Sequence, residues 1–288
     1  MDIQTFESIA TGVAYVVLGV ILLLVAKLIM DVLTPFKIDE HLTDKDNPAL
    51  GLAMVGYFAG VMIVFLGAVI GPDLESDLSF AELLAVIGVD VLYALGGILA
   101  LNVGRWSVDK LVLPQFSTVK EIIEDRNVGT GAVEFGCYIA TALVIAGAIQ
   151  GQGGGPLSAV VFFVLGQLVL VVFAKLYQLA TRYDIHEQIE QDNVAAGVAL
   201  GLSMVAIGII VLKGAAGDFV SWTENLTWFG IDAVLGFVVL LGLRKVTDAL
   251  FLPGTTISHE IAVDRNLNAA WIEGVVAIGI AAMIFVLL

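Results

Sequence analysis

Long apolar runs separated by short polar segments make up most of the chain. Each run is about 20 residues long, which is the length that a helix needs to cross the hydrocarbon core of a membrane. Transmembrane strands would instead alternate apolar and polar positions. The pattern therefore predicts eight membrane-spanning helices, at residues 9–30, 49–70, 83–103, 128–149, 157–179, 194–213, 226–243 and 267–288.

The composition favours an all-α integral membrane protein. Of the 288 residues, 59% are hydrophobic and only 14% are charged, and the mean hydropathy is +0.99. A soluble domain of this size is roughly half apolar and could not bury so much apolar surface. The lipid bilayer is therefore the first expected partner. The first run is interpreted as a spanning helix, because no basic segment precedes it as in a secretory signal.

Basic residues fall almost entirely on one side of the predicted membrane. Of the 13 lysines and arginines, all but Lys213 flank connections 1, 3, 5 and 7. The positive-inside rule therefore predicts that these connections are cytoplasmic, that both termini are outside, and that the protein lies in the inner membrane. The net charge of −15 indicates an outer face that attracts cations, or a saline habitat. The outer acids are Asp2, Glu7, Asp73, Glu75, Asp77, Asp218 and Glu224.

The sequence repeats at two levels, which is a signature of repeated architecture. Residues 26–51 resemble residues 174–197, and residues 109–127 resemble residues 248–266. Each half then has four helices, built from two helix pairs. An even number of spans per half predicts parallel repeats around an axis along the membrane normal, with the helix pairs in quasi-four-fold order. The two predicted units are residues 1–152 and 153–288.

A family resemblance rests on two stretches, which read TPFKIDEHLTDKDNPALG and LPQFSTVKEIIEDRNVGTGAVEFG. With them the chain resembles the YjfL-type family of bacterial inner-membrane proteins, catalogued as domain of unknown function 350, in two tandem copies. The second copy departs from the first where Trp271 replaces Ala132 and residues 268–270 replace residues 129–131. The resemblance implies no settled activity. Similar proteins are encoded near PspA-like membrane-stress proteins and ATP-grasp or polyamine-related enzymes, which implies a PspA-like cytoplasmic partner.

Two glutamates are the first candidates for chemistry. Glu134 and Glu273 each lie seven residues after the asparagine that precedes their helix, about 10 Å along its axis. An ionised carboxylate at that depth is costly unless it is paired or hydrated, so such residues are functional candidates. The structural alternative is a hydrogen bond to a neighbouring helix or an ion pair with Arg126 or Arg265.

Two aspartates lie nearer the predicted outer end of the third and seventh spans. Asp90 and Asp232 occupy only approximately equivalent places in the two halves. Together with the glutamates they predict a polar path, with aspartates outside and glutamates inside. The alternative is that they lie at the outer headgroup boundary.

Asparagines precede four of the predicted helices. Asparagine is a preferred N-cap residue, and an acid close before it favours the positive end of the helix dipole. The alternative is that four such helix starts form an acidic cytoplasmic vestibule around one axis. The residues concerned are Asn47, Asn127, Asn193 and Asn266, with Asp125 and Asp264.

Three histidines, each beside a glutamate, are weak candidates for metal ligands. His41, His186 and His259 fall at equivalent places in the linkers, but no HExxH spacing is present, and convergence of the linkers is needed for a metal site. The alternative is that the linkers are amphipathic helices in the membrane interface. Their apolar residues, facing lipid or protein, are Ile122, Ile123, Ile189 and Ile261.

These features favour a cation-handling channel or a proton- or cation-coupled transporter. Protons, metal ions and polyamines all stay open as substrates, and homo-oligomerisation stays open as well. The alternative is a non-transporting scaffold that recruits a PspA-like protein through the linkers. No nucleophile–base set indicates an enzyme, no motif indicates a cofactor, and no basic stripe indicates nucleic-acid binding.

Overall fold

The computed structural model describes residues 3–70, 79–251 and 254–288, and the described chain is helical without strands. All eight predicted spans are present in it and are long and apolar enough to cross a membrane. The predicted outer acids Asp2, Asp73, Glu75 and Asp77 lie outside the described residues. The long helices are α1 (Ile3–Leu33), α2 (Pro48–Val69), α3 (Phe80–Ser107), α5 (Val128–Ile149), α6 (Gly155–Ala180), α8 (Val194–Ala215), α9 (Trp222–Phe251) and α11 (Leu267–Leu287).

Short helical segments fill connections 1, 3, 5 and 7, which we call the linkers. Linkers 3, 5 and 7 contain six-residue helices, and a Ser, Asp or Thr side chain caps the N-terminus of each, as is favoured at helix starts. Linker 1 contains a π-helical turn at Glu40–Asp44, and a second π-helical turn at Val108–Val112 follows α3. The linker helices are α4 (Thr118–Ile123), α7 (Ile185–Glu190) and α10 (Ile257–Ala262).

The long helices form two layers. In the inner layer α2, α5, α8 and α11 lie side by side in that order. In the outer layer α1 packs on α2, α3 packs on α2 and α5, α6 packs on α5 and α8, and α9 packs on α8 and α11. Every outer helix except α1 therefore covers the seam between two inner helices.

The inner layer is an open row rather than the quasi-four-fold ring expected from the repeat. Helices α2 and α11 lie at its two ends and are not among the helix pairs in extensive contact. The predicted domain boundary after residue 152 falls in the turn between α5 and α6.

Glycine allows the inner helices to approach until their backbones touch. A Cβ atom added to Gly136 of α5 would collide with the carbonyl oxygen of Gly201 of α8, and one added to Gly56 of α2 would meet the backbone of Phe135. Close approach of this kind lets membrane helices gain van der Waals contact that lipid cannot replace. The centre of the protein therefore depends on small residues.

We expect Gly136→Ala to disrupt the contact between α5 and α8, because the added methyl group has no free space and meets rigid backbone. The matched control is Gly88→Ala in α3, where an added Cβ meets no atom within 4 Å. Alanine there should be neutral or stabilising by up to about 1 kcal/mol, since glycine weakens a helix. Thermal unfolding in detergent measures both effects. Equal stability of the two variants would contradict this packing.

Candidate functional site

All four linkers end in the same two-residue arrangement. The residue before the asparagine has a left-handed backbone, which turns the chain sharply into the next helix. The asparagine then caps that helix, because its side-chain oxygen accepts backbone N–H groups of the first turn. The left-handed residues are Asp46 (φ 48°), Arg126 (φ 54°), Asp192 (φ 60°) and Arg265 (φ 50°). The capping residues are Asn47, Asn127, Asn193 and Asn266.

Three of the asparagines also connect neighbouring linkers through their amide groups. These three asparagines are buried between neighbouring linkers, and the acidic vestibule considered from the sequence stays a prediction. Asp125 and Asp264 lie on the exposed side of their linkers, where Asp125 pairs with Lys120 at 3.2 Å. The amide donations run from Asn47 to the carbonyl oxygen of Ile122 (2.8 Å), from Asn127 to that of Ile189 (2.6 Å), and from Asn193 to that of Ile261 (2.7 Å).

A side chain in the same linker also accepts from three of the four asparagine amides. Asn127 donates to Glu121 at 2.9 Å and Asn266 donates to Glu260 at 2.7 Å. Glu121 is only 5% exposed, and burial raises the pKa of its carboxyl group. Glu260 is more accessible, and hydrogen bonds, chiefly from Asn266, lower its pKa. Equivalent carboxylates therefore experience different environments in the two halves.

We expect Glu121→Gln to stabilise the protein at neutral pH, by about 1 kcal/mol or less. A raised pKa in the folded state means that stability falls as pH rises from the unfolded-state pKa, about 4.3, through the folded-state pKa. In linker 5 a glutamine, Gln188, accepts from the amide of the corresponding asparagine, Asn193, so glutamine fits this position. Thermal unfolding across that pH range should show a smaller loss in the variant. Parallel pH profiles for variant and wild type would contradict the prediction.

Glu134 lies between the two helix layers and faces two charged groups of the α3 region. It is 3% exposed, and its neighbours are the Asp109 carboxyl group and the Arg105 guanidinium group. The two carboxyl groups lie within hydrogen-bond reach of each other, and neither Oε1 of Glu134 nor Oδ1 of Asp109 accepts from a donor group in the described part of the chain. We call Glu134, Asp109 and Arg105 the first-half cluster. It carries two acids for one base.

A small cavity connects the first-half cluster to the linker end of the bundle. Glu134, Arg105 and Tyr138 line its inner part, while Phe36 and Val119 line it from linkers 1 and 3. Its volume is about 20 Å³, which is enough for one water molecule. A water molecule in this cavity would lie beside the Glu134 carboxyl group.

The second glutamate also meets an arginine of the outer layer, together with a tyrosine. Glu273 accepts from Arg244 Nε at 3.0 Å and from the Tyr177 hydroxyl group at 3.0 Å. The guanidinium group also lies over the Tyr177 ring, 5.0 Å from its centroid, in the geometry of a cation–π contact. We call Glu273, Arg244 and Tyr177 the second-half cluster. The Asp248 side chain, the sequence counterpart of Asp109, lies outside the described side chains.

The arginines that meet the glutamates are Arg105 and Arg244, and not the Arg126 and Arg265 considered from the sequence. Arg126 and Arg265 occupy the left-handed turns before the asparagines. Arg105 and Arg244 lie near the ends of α3 and α9, in the outer layer. Their spacing in sequence, 139 residues, equals that of Glu134 and Glu273. This shared offset is the signal that could have identified them.

Asp90 and Asp232 lie far from the glutamate clusters. Asp90 accepts from the Tyr15 hydroxyl group at 2.7 Å, and the buried Asp232 pairs with Lys213 at 2.7 Å. Each aspartate shares a helix with the arginine of a cluster but precedes it by 12 to 15 residues, or about 20 Å along the axis. The four acids therefore occupy two levels of the bundle.

The three histidines have separate local partners. Lys45 contacts His41 at 3.3 Å, the carbonyl oxygen of Val112 lies 2.8 Å from His186, and His259 lies near Asp264. Among the described residues no group of three or more His, Cys, Asp and Glu could hold a metal ion. Three of the four linker isoleucines face protein, with exposures of 5% for Ile122 and 0% for Ile189 and Ile261, and Ile123 is partly buried.

We expect Arg244→Gln to destabilise the protein by about 3 kcal/mol, because it removes the ion-pair partner of a buried carboxylate. The double variant Arg244→Gln/Glu273→Gln should regain most of that loss, since both buried charges are then removed together. Thermal unfolding of the two variants in the same detergent measures the difference. A double variant no more stable than the single one would show that the ion pair does not determine this effect.

Comparison with known proteins gives a family without an activity. The model of a Domain of Unknown Function (DUF350) matches residues 4–149 and again residues 153–288. The chain is 23% identical to the UPF0719 transmembrane protein of Aquifex aeolicus (strain VF5) over 256 residues, covering 86% of this chain and 89% of that protein. It is 26% identical to the UPF0719 inner membrane protein YjfL of Escherichia coli (strain K12) over 116 residues, covering 39% and 83%. No solved structure matches the chain.

Proposed function

Because this chain belongs to the DUF350 family in two tandem copies, and this membership brings no activity with it, we propose a function from its buried charges. The chain is a multi-pass inner-membrane protein. In our proposal it is a transport protein that binds a proton, or a small cation in its place, at Glu134. The first-half cluster takes up this charge and releases it as the charge crosses the membrane.

The excess of acid over base in the first-half cluster carries the proposal. Glu134 and Asp109 face each other beside a single guanidinium group, so full ionisation would leave one uncompensated negative charge in a buried site. Burying such a charge is strongly unfavourable. Two facing carboxyl groups avoid this free-energy cost by holding one proton between them. A cation bound in the adjoining cavity would likewise compensate the extra negative charge.

Polar side chains continue from Glu134 into the membrane along one face of α5. Tyr138 and Thr141 follow it at the fourth and seventh positions, which lie on the same face of a helix. Gln167 of α6 donates to Thr141 at 3.3 Å, and Asn102 of α3 donates to Tyr57, whose ring packs edge-on against Tyr138. This line of hydrogen-bonding groups supports a route that leads away from the linker end.

We expect Glu134→Gln and Asp109→Asn each to abolish proton flux into sealed liposomes, since either change removes the excess acid. A pH-sensitive dye inside the liposomes reports flux under an imposed gradient. Glu124→Gln is the matched control, because Glu124 is an exposed carboxylate in the same linker region and should leave flux unchanged. Glu273→Gln, alone and combined with Glu134→Gln, tests whether the two halves contribute equally.

Gradients of K⁺, Mg²⁺ and spermidine, imposed in turn, test whether the protein transports one of these cations instead of, or together with, the proton. Flux of any one of these that needs Glu134 supports transport of that cation class. Proton or cation flux that survives both Glu134→Gln and Asp109→Asn in folded protein would contradict the proposed site.

The alternative function, a scaffold for a PspA-like protein, has less support from the linkers. Ile122, Ile189 and Ile261 pack inside the protein and Ile123 is partly buried, so most of the apolar face that was expected to recruit a partner is used for packing. The charged face, with Glu124 and Glu190, stays exposed. Absence of flux for every cation would favour this alternative, and binding of a PspA-like protein to the purified chain would then test it.

A further inference from the structure

The inner row contains the same helix–helix contact three times, and both ends of the row present the unused halves of that contact. We propose that a second copy of this chain continues the row, with α11 of one copy packed against α2 of the next. Such head-to-tail contacts are heterologous and close into a ring when the geometry permits. The proposal does not depend on the proposed transport activity.

Counted from each capping asparagine, the same positions make every inner contact. The ninth residue of one helix meets the eighth residue of the next. Gly56 meets Phe135, Gly136 meets Gly201, and Leu202 meets Gly274. The next pair in this series would join Val275 of α11 to Val55 of α2. These two valines are 60% and 57% exposed in the single chain.

The rest of both end faces follows the same register. An added Cβ at Gly279, thirteen residues after Asn266, meets no atom within 4 Å, whereas one at its equivalent Gly60 in α2 meets α5. Likewise, an added Cβ at Gly51 in α2 meets no atom within 4 Å, whereas one at its equivalent Gly131 in α5 meets the backbone of Ala49 in α2. The open faces are therefore counterparts of faces that are filled elsewhere in the same chain.

The hydrogen bonds between neighbouring linkers also stop at the two ends of the row. Asn47, Asn127 and Asn193 are at most 2% exposed, because each is covered by the linker whose carbonyl oxygen it bonds. Asn266 is more accessible, and no linker follows it among the residues that the structure describes. Leu42 in linker 1 occupies the position of the accepting isoleucines and is also only partly buried. A second copy would bring its Leu42 carbonyl oxygen to Asn266.

The length of one relative supports the proposal that such helix contacts also form between separate chains. The matched segment of the E. coli protein is 116 residues long and makes up 83% of that protein, so it has room for one of the two copies present here. A chain with one copy can build the contact that α5 and α8 make here only with a second chain. The same kind of interface could then serve both within and between chains.

Disulfide crosslinking in native membranes tests the proposal. The native Cys137 is buried and is replaced by Ser. We expect Val55→Cys/Val275→Cys to give covalent dimers and larger multiples on oxidation, while each single variant stays uncrosslinked. Co-expressed single variants should link only as mixed dimers. Val275→Cys with Leu92→Cys, an exposed position on outer-layer helix α3, is the control for random collision.

Two results would overturn the proposal. Crosslinking of Val55→Cys/Val275→Cys no stronger than that of the collision control would mean that lipid covers both end faces. Efficient crosslinking of a single variant to itself would mean a two-fold symmetric dimer instead of a continued row. Because Val55 and Val275 are exposed, neither substitution should prevent folding.

Discussion

Close backbone contact between the inner helices is the constraint on which the rest of the structure depends. Lipid is as apolar as the side chains of the protein, so apolar burial alone does not hold membrane helices together. Gly136 and Gly201 remove the side chains that would separate α5 from α8. The linkers can then meet, and Asn127 reaches the carbonyl oxygen of Ile189 in the next linker. Packing at the centre thus sets the spacing at which the linker hydrogen bonds form.

The two-layer arrangement also explains where the charges lie. Both glutamates project from the inner row toward an arginine in the outer layer, and both glutamate side chains are buried. In the second half, Tyr177 and Arg244 surround Glu273 with donors. In the first half, Asp109 adds an acid beside Glu134. Among the described side chains, each glutamate therefore meets an arginine of the outer layer, joined by a carboxyl group in the first half and by a tyrosine hydroxyl group in the second.

Much of the fold could be predicted from the sequence. The eight spans follow from apolar length, and four helix starts follow from the asparagines, because both signals are local. The partners of the glutamates could not be predicted in this way. Arg105 lies 29 residues before Glu134 in the sequence and meets it only because α3 packs over α5. The open row was missed for a similar reason, since a count of helices fixes their directions but not the faces through which they touch.

The central claim is that the first-half cluster holds a proton that Glu134 and Asp109 share. Infrared difference spectroscopy of the protein in lipid, at neutral pH and without metal cations, tests it most directly. We predict a band from a protonated carboxyl group that disappears in both Glu134→Gln and Asp109→Asn and persists in Glu124→Gln. A wild-type spectrum with every carboxyl group ionised under these conditions would contradict the claim.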